Sequence, residues 1–352
     1  MYKHLWKWFL ILSLAYGCSK AAVQEPLLLY PLPPDEPRIK YVRTYRGEID
    51  FVKGGFFDII FGRPAAPRLR KPYGVTARGD KIYVTQTGGA SVAVIDTKAQ
   101  KVSYIGDMGS TGRLSMPIGV AVAPSGMLIV SDSKLKRVFV YDEAGNFKGA
   151  IGKKDDFEAP SGIAINPELG RVYIADSYGH RVGVYTLQGE ALFKFGRRGH
   201  DNAEFNFPTS IAIDKRNGEV YVVDTQNFRV QVFDKDGRFL RKFGSVGDTP
   251  GSFARPKGIG IDSEGHVYVA DAAFDNFQVF DETGRLLLPI GAAGSRPGYF
   301  QLPAGVYVDE NDRIYVVDQL NNRVQVFQYL SEKWKRDNSE EFEKLQFNLD
   351  TK

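Results

Sequence analysis

Cysteine is nearly absent from this chain, which has one, Cys18, in 352 residues, and histidine is scarce at four. A lone cysteine excludes an internal disulfide framework, haem-attachment pairs and thiolate zinc or iron–sulfur sites built by this chain alone. A charge excess of one sign is missing too. Forty-six basic and 42 acidic residues leave a net charge of +4, and residues 1–17 hold two lysines and no acid, so the balance without them is +2. A nucleic-acid binder carries a far more basic balance. The apolar stretch near the start, Trp8 to Ala15, has only eight residues, too few to span a bilayer. What is present is 43% apolar residues and 37 glycines. That is too apolar for a disordered chain, and the glycine supply favours the many tight turns of a β-fold.

The N-terminus orders Lys3 and Lys7, then the apolar stretch, then Gly17 directly before Cys18. This is the layout of a secretory signal over residues 1–17. The end of it resembles a bacterial lipobox, with Ala15 where leucine is usual and a bulky Tyr16. The resemblance implies cleavage before Cys18, acylation of its thiol and amine, and, with Ser19 next, sorting to the outer membrane. Several acyl chains give stable anchoring, at about 0.8 kcal/mol per buried methylene. Residues 18–37 carry five prolines and read as an extended tether, with Leu27 to Leu29 able to dock on the domain. Residues 331–352 read as a charged tail or a short packed helix.

Between these ends the chain repeats. Pro72/Gly74, Pro117/Gly119, Pro160/Gly162, Pro208/Ser210, Pro256/Gly258 and Pro303/Gly305 open six copies at intervals of 45, 43, 48, 48 and 47 residues. Each copy holds four short alternating runs, clearest in SIAID, EVYVVD, RVQVF and RFLRKFG, with turns at Asn217-Gly218 and Asp236-Gly237. Four strands per repeat of this length make a propeller blade. The sixth copy lacks its fourth strand, and RIKYVRTYRG, residues 38–47, supplies it and closes the ring. The expected fold is therefore all-β: a six-bladed propeller of four-stranded antiparallel blades over residues 38–330, closed by an N-terminal strand. The motifs P-x-G-I-A-I-D, V-Y-V-x-D-x-x-x-x-R-V-Q-V-F and the G-x-x-G…F…P connection resemble the NHL family over the same residues. That family serves as partner platforms, sensors, RNA binders and a few enzymes, so the resemblance implies fold more than function.

Asp132, Asp176, Asp224 and Asp318 close second strands, and Arg137, Arg181, Arg229 and Arg323 open the third strands five residues later. The spacing predicts structural ion pairs across each hairpin. Blades 1 and 5 break the pattern with Gln86/Ser91 and Asp271/Asn276. Small residues two positions after each blade-opening Gly or Ser give way to Tyr307 in blade 6. The irregular stretch 48–71 contains Phe56, Phe57 and Phe61 followed by Arg63, Arg68, Arg70 and Lys71: apolar anchors beside positive charge, suited to an acidic protein partner. The remaining connections on that face are close to neutral, which argues against RNA. His180 and His200 share the face as weak metal candidates, and His266 falls towards the opposite end. No nucleophile elbow, H-E-x-x-H or phosphate loop is present. The reading is a lipid-anchored envelope scaffold with no cofactor and no catalytic residue. A metal-dependent hydrolase or lyase on the axis is the alternative, and glycan or small-ligand binding the third.

Overall fold

In the computed structural model, which describes residues 27–32, 34–52, 66–107 and 111–350, the six repeats are six four-stranded antiparallel blades. Blade 1 is β3 (Pro72–Arg78), β4 (Lys81–Gln86), β5 (Ser91–Asp96) and β6 (Lys101–Ile105). Blades 2 to 5 begin with β7 (Pro117–Val122), β11 (Pro160–Asn166), β15 (Pro208–Ile213) and β19 (Pro256–Ile261). Blade 6 is β23 (Pro303–Val308), β24 (Arg313–Asp318) and β25 (Arg323–Tyr329), completed by β2 (Ile39–Tyr45). The closing strand pairs antiparallel with β25, from Ile39 opposite Tyr329 to Tyr45 opposite Val324. The expected architecture and its closure therefore hold. Joining the ring this way leaves blade 6 with the same number of core strands as its neighbours and removes a free edge.

The P-x-G signature has a steric cause. First strands crowd the axis, and a Cβ on Gly119 would lie 2.1 Å from the Ser161 carbonyl oxygen of the next blade. A Cβ on Gly305 would lie 2.6 Å from the Tyr73 oxygen, so blade 6 meets blade 1 by the same contact. Hydroxyls stitch neighbouring blades just outside that ring. Ser133, Ser177 and Thr225 donate to the Pro160, Pro208 and Pro256 carbonyls at 2.9, 2.6 and 2.9 Å.

Apolar side chains of adjacent blades interleave to form the core. Phe157, Phe205, Phe253 and Phe300 of the interblade connections are fully buried, in line with a packing role. Phe205 lies 5.5 Å from Phe233 of blade 4, and Phe253 the same distance from Phe280 of blade 5.

The described residues on either side of the ring, within 27–38 and 331–345, fold onto blade 6. Within the stretch read as tether, β1 (Leu29–Tyr30) adds a fifth strand beside β2. Two helices follow the ring, α1 (Glu332–Asp337) and α2 (Ser339–Asp350). Leu29, Leu330 and Leu345 form a buried cluster flanked by Trp334 and Phe342. Lys335 bridges to Glu36 at 2.8 Å, and Lys40 to Glu341. The charged C-terminal segment is thus helical and packed, with Trp334, Phe342 and Leu345 covering β1. No helix among the described residues is long and apolar enough to cross a membrane.

Candidate functional site

A propeller's chemistry lies where its loops and first strands converge, so the site is built from two parts. The interblade connections and the loops between second and third strands form one face, and the six first strands enclose an axial cavity of about 410 Å³.

The loop face is rigid because buried polar groups hold its connections. In blade 4, Arg229 donates to Asp224 at 2.9 Å and to the carbonyls of His200, Asp201 and Glu204 at 2.7 to 2.9 Å. In blade 6, Arg323 does the same with Asp318 at 2.6 Å and with Ser295, Arg296 and Tyr299 at 2.7 to 2.9 Å. Burial pushes the carboxyls of Asp224 and Asp318 above the ordinary range, against the hydrogen bonds they accept. Arg181 meets Asp176 at 3.2 Å in a more exposed pair. The pair expected in blade 2 is not closed. Asp132 instead accepts from the backbone N–H groups of Ser115, Met116 and Leu135 at 2.6 to 2.9 Å, and Arg137 Nε is buried without a partner. Blade 1 replaces charge by a neutral contact, Gln86 Nε2 to Ser91 Oγ at 3.2 Å. In blade 5, Asp271 is bound by backbone N–H groups alone.

One clamp escaped the sequence reading. Gln231, Gln278 and Gln325 each place their amide across the adjoining connection, donating to the Glu204, Ser252 and Tyr299 carbonyls at 2.7 to 2.9 Å. They accept in return from Ala203, Gly251 and Gly298 N–H groups at 2.8 to 3.0 Å. The signal was the repeated Q of Q-V-F, a polar residue at a buried strand position.

The sequence-derived site residues divide. Cys18, Phe56, Phe57, Phe61 and Arg63 lie outside the described residues, as do residues 1–17. Arg68, Arg70 and Lys71 are exposed at the start of blade 1. Their backbone is fixed by Arg70 N–H to Gln86 at 2.7 Å and Lys71 N–H to Asn322 at 3.0 Å. Apolar side chains elsewhere on this face were overlooked because each sits singly in its own loop. Of thirteen exposed large hydrophobic residues among those described, six are in these loops and connections: Met116, Leu135, Tyr178, Val246, Tyr299 and Leu320. Tyr178 is 66% exposed and packs edge-on against Phe207 at 5.4 Å.

The histidines do not converge. His180 is buried with Nδ1 3.2 Å from the Phe205 carbonyl, and His200 is exposed with Nδ1 2.7 Å from Asn227. His266 is held 2.9 Å from Asp262 beside Tyr329, among the turns of the opposite face. Burial disfavours its imidazolium, but the Asp262 carboxylate more than offsets this, and its pKa is raised.

The axial cavity is walled by Ala121, Ala164, Ala212 and Gly260, with Thr76 and Tyr307 between blades 1 and 6. Tyr307 faces this space and is hydrogen-bonded to Thr76, and burial pushes its phenol up to about 12. At the loop-face mouth stand the middle residues of P-x-G, among them Tyr73, Thr209 and Lys257. Lys257 Nζ reaches 3.3 Å from Tyr73 Oη. The repeat alignment stacks these variable positions in one ring, a signal that the fixed Pro and Gly obscured. A metal on the axis needs converging carboxylates or imidazoles. The only acids lining the cavity, Asp309 and Glu310, belong to one turn at the far mouth, and no cluster of three metal-binding groups occurs among the described residues. The walls therefore do not fit a metal held on the axis.

Together these features define a six-bladed propeller with a rigid loop face and an axial cavity. The SMP-30/gluconolactonase/LRE-like region model matches residues 64–245, and the chain belongs to that family. A six-bladed β-propeller model also matches residues 217–274 and an NHL repeat residues 300–327. Protein brain tumor of Drosophila melanogaster is 32% identical over 108 residues, 28% of this chain. The match spans only 10% of that protein's length. A streptogramin B lyase structure superposes with TM-score 0.56 at 14% identity, covering 75% of this chain and 95% of the lyase. An auxiliary nutrient binding protein from Bacteroides thetaiotaomicron VPI-5482 gives 0.57 at 14% identity, covering 75% and 70%. At such identities these structures share the fold alone.

Proposed function

We propose that this protein is a non-enzymatic binding propeller whose loop face docks a protein partner at the cell envelope. The presence of six exposed apolar side chains on the loops and connections of the rigid face carries the reading. Loop apolar residues held on a fixed frame lose little freedom on binding, which is how a few anchors dominate an interface. Exposed Arg68, Arg70 and Lys71 border the face and favour an acidic partner. In this reading the chain is tethered through an acylated Cys18, which places the face within reach of envelope proteins. The metal-dependent alternative loses support from the composition of the axial walls.

The test is affinity capture from solubilised envelopes with the native protein and with Leu135→Ser/Tyr178→Ser/Leu320→Ser. A partner retained by the first and lost by the second, at unchanged melting temperature, supports docking on this face. Equal recovery by both proteins refutes it.

A further inference from the structure

The axial cavity has a polar mouth at the loop face and an apolar body, and the cation at that mouth, Lys257, lacks a counter-ion among the described residues. Lys257 is partly buried where β19 begins. Its ammonium rests near the Tyr73 hydroxyl at 3.3 Å and 5.5 Å from the centre of that ring. No carboxylate pairs with it among the described residues, although nineteen other contacts there join a basic group to an acid. A partly desolvated ammonium at the mouth of a low-dielectric channel attracts an anion. Below it the walls turn apolar and small, with Ala121, Ala164, Ala212 and Gly260 leaving the space that larger residues would fill. A volume of about 410 Å³ lies in the range of small-molecule sites.

The far mouth does not offer the same chemistry. Arg78 is committed to the Ala123 and Pro124 carbonyls at 2.9 and 2.7 Å, Lys215 is exposed to solvent there rather than partly buried, and Asp309 and Glu310 repel anions at the same end. The channel thus has an orientation: positive at the loop face, apolar within, mixed in charge at the other end. Midway, the Tyr307 phenol adds a polar group to the wall, hydrogen-bonded to Thr76.

We propose that the axial cavity binds an amphiphilic monocarboxylate, its carboxylate at Lys257 and Tyr73 and its apolar body between the small residues of the first strands. This site is independent of the docking face, whose anchoring side chains it does not use. No bond is made or broken in it.

The probe is octanoate, titrated calorimetrically into the full folded domain below its micellar concentration. Octan-1-ol is the uncharged comparison and acetate the comparison without a body. Saturable binding of octanoate at one site per chain is expected, at least tenfold tighter than octanol or acetate. Lys257→Gln should weaken octanoate at least tenfold, whereas Lys215→Gln at the far mouth should not change it. Ala212→Leu, which narrows the channel, should abolish binding while leaving acetate as weak as before. The native protein alone keeps the test decisive if a variant fails to fold. Octanol binding as tightly as octanoate, unsaturable uptake, or no uptake overturns the proposal. So does loss of affinity with Lys215→Gln but not Lys257→Gln.

Discussion

Arg323→Met removes a buried side chain that makes four hydrogen bonds while keeping its apolar stem. The guanidinium is 3% exposed and donates to one carboxylate and three backbone carbonyls. Its loss leaves the Asp318 carboxylate, itself fully buried, with only amide donors from Gln301, Asn321 and Gln325. Breaking a buried ion pair from one side costs about 3–5 kcal/mol. With a urea slope of about 3 kcal/mol/M, the unfolding midpoint should fall by about 1–1.7 M. Arg137→Met occupies the same register in blade 2, where no ion pair with Asp132 exists. It should cost about 1 kcal/mol, the scale of an ordinary contact, and shift the midpoint by about 0.3 M. Arg181→Met, in a more exposed pair, should fall between the two. Burial already raises the Asp318 pKa, so its ionised form is the costly one in the fold. Removing the arginine raises that pKa further, and the Arg323→Met deficit should be largest at pH 7 and narrow as pH falls through the carboxylate range. Equal midpoints for Arg323→Met and Arg137→Met would refute the claim that these clamps, rather than the arginine stems, hold the connections.

Other consequences follow from the same geometry. Gly119→Ala should unfold blade 2 or lower stability by more than about 2 kcal/mol, since the new methyl meets a backbone oxygen. Gly170→Ala, with open space around it but φ of +60°, should cost only about 1 kcal/mol in the same denaturation assay. His266 has a raised pKa in the fold, so its stabilisation is complete below about pH 6.5 and disappears as pH rises through the folded value. The melting temperature should therefore decline from pH 6 to pH 8, and that slope should flatten in His266→Gln. Cys18→Ala should abolish membrane fractionation and acyl labelling. Unchanged fractionation would reject the lipid anchor.

The architecture was legible in the sequence because a ring repeats its solutions. Pro and Gly mark six closures of one steric kind, and β2 announced itself as a fourth strand displaced to the N-terminus. Pairing was less legible. Asp132 and Arg137 hold the same register as Asp318 and Arg323, yet backbone amides satisfy the first carboxylate, and no spacing rule distinguishes the two. The functional surfaces were least legible. Tyr178 and Leu320 are isolated apolar letters in polar loops, and only folding brings them onto one face. Lys257 and Tyr73 stand 184 positions apart, joined solely because both are the variable residue of the same repeated tripeptide. In blade 5 the buried Asn276 carbonyl oxygen lacks a donor, and nothing in the structure explains it.

The central claim is that the loop face, and not the opposite face or the blade sides, contacts a partner. Site-specific photocrosslinking in living cells tests it most directly, with the reactive residue placed at Tyr178 or Leu320 and, separately, at Leu169 or Leu287 away from that face. The account predicts one discrete adduct from Tyr178 and Leu320 and none from Leu169 and Leu287. Adducts from all four positions, or from Leu169 and Leu287 alone, would contradict it.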